Sequence, residues 1–273
     1  MDAISHLLVT YSLNALWQVP LILAAAALCA RLMRRAPAAF RHRVWLAALV
    51  LSALLPLVSL GRATDDHNAK STAAEQSQMG SLRPHSNGST HFFSWWNERS
   101  YRQSLLFSPL LTWFLVGGYA AFCAYRLARF AYAWRRTLLF RQLSRPRALP
   151  DNLRRAAEQA VVAFHCSNIP VLCSSETAGP VTVGFRRPVL ILPERFFTEI
   201  SEADFSSAIC HELAHVQRHD FVSNLLCELL SLPVSLHPAT AVIKARIEQT
   251  RELACDEIAP PTLPIAPPMP VRC

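Results

Sequence analysis

Three long apolar segments dominate the pattern of hydrophobic and polar positions in the first half of the chain. They occupy residues 7–30, 44–60 and 105–124. Each is close to the roughly 20 residues that a helix needs to cross the hydrocarbon core of a bilayer. The pattern therefore predicts an α-helical membrane protein with three N-terminal transmembrane helices.

Polar positions interrupt this pattern in two places. Asn14 and Gln18 share one face of the first apolar segment, where we expect them to form hydrogen bonds between helices. Residues 61–104 are polar and rich in Ser and Asn, and they are predicted to form an extracytoplasmic loop. Trp95 and Trp96 near its end are typical of side chains that anchor a helix at the membrane interface.

Arginines set the predicted orientation. The connector between the first two apolar segments has five arginines and no acid: Arg31, Arg34, Arg35, Arg41 and Arg43. A second arginine-rich stretch follows the third segment. Basic connectors stay on the cytoplasmic side of a membrane. We therefore predict a multi-pass protein of the inner (cytoplasmic) membrane, with its N-terminus outside and everything after residue 128 in the cytoplasm.

The formal net charge of +8 raises the question of nucleic-acid binding. The arginines cluster beside the apolar segments, and the sequence has no recognisable helix-turn-helix, zinc-finger or RNA-binding signature. Anionic lipid headgroups are the simpler partner, and direct nucleic-acid binding is not expected. The eight cysteines avoid the predicted outer loop, so a disulfide framework is not expected either.

Shorter periodic segments begin near Phe130 and predict an α+β domain over residues 129–259. A helix is expected from Asp151 to about His165, followed by strands at residues 171–173, 181–183 and 189–192. Residues 222–242 are apolar but contain Pro233 and polar side chains. A pair of helices is therefore predicted there rather than a fourth transmembrane helix.

Residues His211, Glu212 and His215 form an HExxH motif. Residues 203–218 contain no Gly or Pro, and Ser201 with Asp204 three residues later resembles a helix N-terminal cap. On a helix, both imidazoles point from one face and can bind one metal ion. Glu212 lies beside that face, where it could take a proton from an attacking water.

A third metal ligand is expected downstream, because catalytic zinc sites use three protein ligands. Glu252 is the candidate, and Asp256, four residues later, could orient a ligating histidine. The alternative is that both carboxylates belong to a solvated helix face. Asp220 lies nine residues after His211, about 180° around an ideal helix, so a direct metal role is not predicted for it.

Three linked segments carry a family resemblance: GPVTVGFRRPVLILP at residues 179–193, HELAHVQRHD at 211–220 and RELACD at 251–256. The chain resembles the membrane-embedded zinc peptidases of the BlaR/MecR type, which are beta-lactam-responsive signal transducers and their relatives. The resemblance implies a cytoplasmic, gluzincin-like peptidase domain. It assigns one Zn²⁺ to His211, His215 and Glu252, the general base and acid to Glu212, and a supporting role to Asp256.

The resemblance also implies a substrate and its binding site. Zinc peptidases of this kind pair an extended substrate with a strand before the active-site helix, for which Val181, Thr182, Val183 and Gly184 are the candidates. The implied substrate is a cytosolic protein, such as a transcriptional repressor, or the chain itself. His237 is a candidate oxyanion donor by position, beside a purely structural role.

The end of the chain departs from the family pattern. Residues 260–273 contain six prolines in fourteen residues and cannot continue a helix, which suggests a truncated or frame-shifted product. Two alternatives to an enzyme therefore stay open. One is a catalytically silent signalling or scaffold subunit that keeps the peptidase fold, and the other is a structural membrane protein with a chance HExxH motif.

Overall fold

The computed structural model describes residues 3–77, 109–166, 169–184 and 186–259. These residues form two compact units, each built from several parts of the chain. The first unit contains residues 3–34, 44–77, 109–127 and 230–245. The second unit contains residues 35–43, 128–166, 169–184, 186–229 and 246–259.

Three long helices carry the apolar segments: Ala3–Leu32, Ala38–Ser77 and Pro109–Leu143. By length and composition, Leu8–Leu32, Ala38–Val58 and Leu110–Leu143 could each cross a membrane. Large apolar side chains on them are exposed, including Leu21 at 61% and Phe114 at 79%. Such extensive apolar exposure suits contact with lipid. The prediction of three membrane-spanning helices is supported.

Two of these helices continue beyond the predicted segments. The second helix runs to Ser77, so residues 61–77 are helical where a loop was expected. The third runs to Leu143, well past residue 124, because residues 119–143 contain no Gly or Pro to end it. The rest of the expected loop, with Trp95 and Trp96, and the Pro-rich tail lie outside the described residues.

Hydrogen bonds join the helices of the first unit. The Tyr11 hydroxyl donates to the Ala53 carbonyl at 3.5 Å, which connects the first two helices. The Tyr119 hydroxyl donates to the Pro233 carbonyl at 2.8 Å. Asn14 and Gln18 are both buried there, and the bonding between helices expected of them stays a prediction.

A mixed four-stranded sheet organises the second unit. Its strands are β1 (Arg145–Pro146), β2 (Val171–Ser174), β3 (Val181–Val183) and β4 (Val189–Pro193), in the order β1-β2-β4-β3. β2 and β4 are parallel, and the other two pairs are antiparallel. β4 is buried throughout, whereas β3 is an edge strand. The three predicted strands are confirmed, and β1 is an addition to them.

The HExxH motif lies on the helix Glu202–Gln217, called here the motif helix. As predicted, Ser201 caps it, because the Asp204 backbone N–H donates to Ser201 Oγ at 3.1 Å. Its apolar face places Phe205, Ile209 and Leu213 in the core, each no more than 1% exposed. Burial of three such side chains, at about 2 kcal/mol each, holds the motif helix against the core of the second unit.

Two further helices follow, and the predicted interruption between them is confirmed. The first is Asp220–Ser231, and a short 3-10 turn at Leu232–Val234 separates it from Pro238–Asp256. The latter is called here the ligand helix. The backbone N–H of Ala239 donates to His237 Nδ1 at 3.1 Å, so His237 caps the start of the ligand helix.

Candidate metal centre

Three side chains from two helices converge in the second unit. His211 Nε2 and His215 Nε2, one turn apart on the motif helix, lie 3.3 Å from each other. Glu252 Oε2, from the ligand helix, lies 3.7 Å from His211 Nε2 and 3.6 Å from His215 Nε2. The structure therefore brings the three predicted metal ligands together at one point.

The spacing of these atoms fits a zinc ion. Zinc bonds to His nitrogen and carboxylate oxygen are about 2.0–2.2 Å long, so tetrahedral ligand atoms lie roughly 3.3–3.5 Å apart. The triangle formed by His211, His215 and Glu252 matches this spacing within a few tenths of an ångström. Two imidazoles and one carboxylate are also a donor set that zinc accepts, with one position left open.

Each histidine has a carboxylate on its other ring nitrogen. Asp256 Oδ1 lies 3.1 Å from His211 Nδ1, the contact predicted for Asp256. Asp220 Oδ2 lies 2.8 Å from His215 Nδ1. Such contacts fix the tautomer and the orientation of a metal-ligating ring. Both rings are therefore held with Nε2 directed towards Glu252.

The contact made by Asp220 was missed in the sequence because a continuous helix was assumed. The motif helix ends at Gln217, and His219 adopts a left-handed conformation with φ of 56°. This turn brings Asp220 back towards His215. The hydrogen bond to Asp220 raises the pKa of His215 against the opposing effect of burial. Burial would raise the pKa of Asp220, but His215 and Arg218 together hold it below its usual value.

Cys255 completes the surroundings of His215. Its Sγ lies 3.2 Å from His215 Nδ1 and 3.3 Å from Asp220 Oδ2, and the residue is fully buried. Burial raises the pKa of the thiol, with a further contribution from Asp220. A protonated Cys255 can therefore donate a hydrogen bond to Asp220.

Arg251 holds the other oxygen of Glu252. Its Nε and Nη2 donate to Glu252 Oε1 at 3.1 and 3.0 Å, and its Nη1 donates to Asn224 Oδ1 at 3.4 Å. The other oxygen, Glu252 Oε2, is therefore directed towards the two histidines. Adjacent residues on a helix rarely face each other, so spacing alone did not indicate this pair.

Glu212 faces the same space and contacts the edge strand. The Thr182 hydroxyl of β3 donates to Glu212 Oε2 at 3.1 Å. Burial raises the pKa of Glu212, although the two histidines and Thr182 oppose this shift. The structure therefore places the predicted base beside the predicted substrate strand.

A cavity of about 740 Å³ surrounds these groups. Its lining includes Val181, Thr182, Gly184, Glu212, His215 and Glu252. Gly184 has a φ of 117°, and a Cβ there would lie 2.8 Å from the Arg187 carbonyl oxygen. A side chain at position 184 is therefore unfavourable where the edge strand leaves the cavity.

Two histidines one turn apart, a glutamate between them and a second glutamate from another helix form the kind of site found in HExxH metallopeptidases. The sequence comparison also indicates a peptidase. The chain belongs to the family described as BlaR1 peptidase M56, whose pattern matches residues 7–260. The resemblance noted in the sequence is thereby confirmed.

Curated relatives are distant and match only part of the chain. The chain is similar to the "Methicillin resistance mecR1 protein" of Staphylococcus aureus (strain Mu50 / ATCC 700699), 26% identical over 98 residues, or 36% of this chain and 17% of the relative. The Staphylococcus epidermidis protein of that name gives the same values. The "Regulatory protein BlaR1" of Staphylococcus aureus is 21% identical over 89 residues, 33% of this chain and 15% of the relative. The match thus spans less than a fifth of each relative.

Proposed function

We propose that the chain is an integral-membrane zinc metalloendopeptidase in signal transduction. Its substrate is a cytosolic protein, such as a transcriptional repressor, or the chain itself. The observation that carries this proposal is the convergence of His211, His215 and Glu252 at one point, next to a cavity lined by Glu212, His215 and Glu252. Membership of the BlaR1 peptidase family and the regulatory relatives support the signalling role.

The proposed chemistry divides between a metal ion and Glu212. A bound zinc ion would act as a Lewis acid on the scissile carbonyl and lower the pKa of a water to about 7. Glu212 would take the proton of the attacking water and deliver it to the leaving amine. The hydrogen bond from Thr182 fixes its Oε2 in the cavity. The raised pKa of Glu212 lies closer to the operating pH of an enzyme, which helps this carboxyl to take up a proton and to release it again.

We propose that the substrate adds an extended strand to β3. β3 is at the edge of the sheet, and Val181, Thr182 and Gly184 line the cavity that contains Glu212. Main-chain hydrogen bonds along Val181, Thr182, Val183 and Gly184 would hold the substrate, in the manner of β-strand addition. The scissile bond of the substrate would then lie beside His211 and His215.

The proposed topology follows the arginine distribution. The peptidase domain, residues 129–259, is in the cytoplasm, residues 61–104 are outside, and the chain resides in the inner membrane with its N-terminus outside. Anionic lipids would interact with the basic connectors, and we propose no direct binding of nucleic acid.

Zinc content and proteolysis test this proposal together. The full chain, purified in detergent, is expected to hold close to one zinc ion, and the His211→Ala and Glu252→Ala variants much less. In cells, new protein N-termini should appear with the parent chain and disappear with Glu212→Gln. Exposed Glu199 provides a matched control, Glu199→Gln, with parental behaviour.

The results also separate an enzyme from the alternatives. A chain that binds zinc but gives the same N-termini as Glu212→Gln would be a silent signalling subunit. A folded chain without zinc would contradict the metallopeptidase proposal.

A further inference from the structure

The start of the second apolar helix belongs to the same compact unit as the metal centre. Residues 35–43 group with residues 246–259. Ala38, the first residue of that helix, is fully buried, and its backbone N–H donates to Glu257 Oε2 at 2.7 Å. A carboxylate at a helix N-terminus satisfies a free N–H and interacts favourably with the helix dipole. Glu257 directly follows Asp256, so this cap is continuous with the ligand helix.

His42, one turn further along, makes a second connection. Its Nδ1 lies 3.2 Å from the Ile247 carbonyl oxygen and 3.3 Å from Thr250 Oγ1, and the residue is only 5% exposed. The Thr250 hydroxyl donates to the Arg246 carbonyl at 2.7 Å, which leaves its oxygen free to accept. The Nδ1–H of His42 is therefore the donor to the ligand helix.

These contacts lie on the back of the ligand helix relative to the metal centre. At 100° per residue, Ile247 and Thr250 share one side of the helix. Glu252 is about 200° from Thr250, and Asp256 lies close to Glu252 on that opposite side. The ligand helix is thus held from one side by Ala38 and His42, while it presents its carboxylates on the other.

We propose that Ala38, His42 and Glu257 form a brace that positions the ligand helix, so that Glu252 and Asp256 reach the two histidines. The brace makes His42 and Glu257 positioning residues. This inference rests on the proposed function, since it assigns regulation to the same site.

The brace also gives a route for a signal. Ala38 and His42 begin the continuous helix Ala38–Ser77, which contains the candidate membrane span Ala38–Val58. Packed helices respond to a signal by small rigid shifts of about 1–2 Å. A shift of the second apolar helix would move the brace and draw Glu252 towards or away from the histidines.

Hydrogen exchange of the metal-free full chain in lipid nanodiscs tests the brace without any need for activity. His42→Ala and Glu257→Ala should each make the backbone amides of residues 246–256 exchange about tenfold faster, because each removes a hydrogen bond that connects residues 38–42 to residues 247–257. His42→Asn keeps a donor and Glu257→Gln keeps an acceptor, so both should restore slow exchange. Exposed Gln249, on the same helix, supplies the control Gln249→Ala.

Zinc affinity, measured by competition with a chromophoric chelator, tests the positioning role. The two alanine variants should bind zinc about tenfold more weakly, and the two conservative variants should recover most of the affinity. Thr250→Val, which keeps the side-chain shape, provides a milder test if an alanine variant fails to fold. It should accelerate exchange in residues 246–256 as well.

Each outcome decides a separate statement. Unchanged exchange in folded His42→Ala, Glu257→Ala and Thr250→Val would overturn the brace. Faster exchange with parental zinc affinity would overturn its positioning role. A parent chain that binds no zinc would defeat the proposed function, whereas the exchange pattern would still support or overturn the brace.

Discussion

The Asp220 carboxylate lies 2.8 Å from His215 Nδ1, although the two residues belong to successive helices. The Asp220 side chain is only 5% exposed, whereas that of Asp256, which contacts His211, is 63% exposed. The two carboxylate–histidine pairs therefore differ in their access to water. Because water competes for an exposed hydrogen bond, the buried pair should contribute more to the metal centre.

Zinc affinity should reveal this difference. Asp220→Asn is expected to weaken zinc binding about 10–100-fold, the usual effect of removing a carboxylate behind a ligating histidine. Asp256→Asn should weaken it by clearly less, since water can replace the lost partner. Chelator competition at fixed pH measures both, with exposed Asp151→Asn as the control. Equal losses for the two variants would contradict the proposed role of burial.

Asp220 should also make the stability of the metal-free protein depend on pH. The pKa of Asp220 is lowered from 3.8 and that of His215 is raised from 6.5, so the charged form predominates in both groups between these two values. The stabilisation from His215 is complete below its unfolded pKa and is lost as pH rises through its raised folded pKa. Asp220→Asn should therefore lower the melting temperature more at pH 6 than at pH 9.

Thermal unfolding in the presence of a chelator checks this prediction. The remaining contacts of Asp220 with Arg218 and Cys255 should leave a smaller loss at pH 9. A loss that grows with pH would show that the charged pair with His215 does not stabilise the fold.

Arg251 should tune the metal site through Glu252. Two of its nitrogens share Glu252 Oε1 as acceptor, a geometry that lysine cannot reproduce. Arg251→Gln is therefore expected to weaken zinc binding several-fold. Arg251→Lys should also weaken zinc binding, but by less, because lysine keeps the positive charge and loses the contact made by two nitrogens. Exposed Arg246→Gln, on the same helix, serves as the control. Full recovery by Lys would mean that only the positive charge matters.

Local patterns in the sequence predicted much of the fold and of the site. The strand at residues 181–183 and the cap formed by Ser201 came from short-range signals, and the structure has both. The HExxH spacing placed the two histidines together because a helix turn fixes their separation. Glu252 came from its sequence context and from the family resemblance.

Other features depend on contacts that such patterns do not contain. Neither Gly nor Pro marks the end of the motif helix, so the turn at His219, and with it the role of Asp220, could not be predicted. The contacts of Ala38 and His42 join residues 219 and 205 positions apart. Pairings at such separation arise from tertiary packing rather than from periodicity.

Gly184 offers a test of the edge strand with a built-in control. Its φ of 117° is rarely adopted by other residues, and a Cβ would lie 2.8 Å from the Arg187 carbonyl oxygen and 3.2 Å from Arg141 Nη1. Gly184→Ala should therefore cost about 1–3 kcal/mol of stability. It should also displace Thr182 from Glu212, because only one residue separates Gly184 from Thr182.

Gly179→Ala is the matched control, since a Cβ at position 179 meets nothing within 4 Å. Thermal unfolding of the metal-free chain should show a melting temperature several degrees lower for Gly184→Ala and unchanged for Gly179→Ala. Zinc affinity should fall little in either variant, since neither glycine contacts a predicted ligand, whereas proteolysis should fall in Gly184→Ala. Parental proteolysis by a destabilised Gly184→Ala chain would mean that β3 does not bind the substrate.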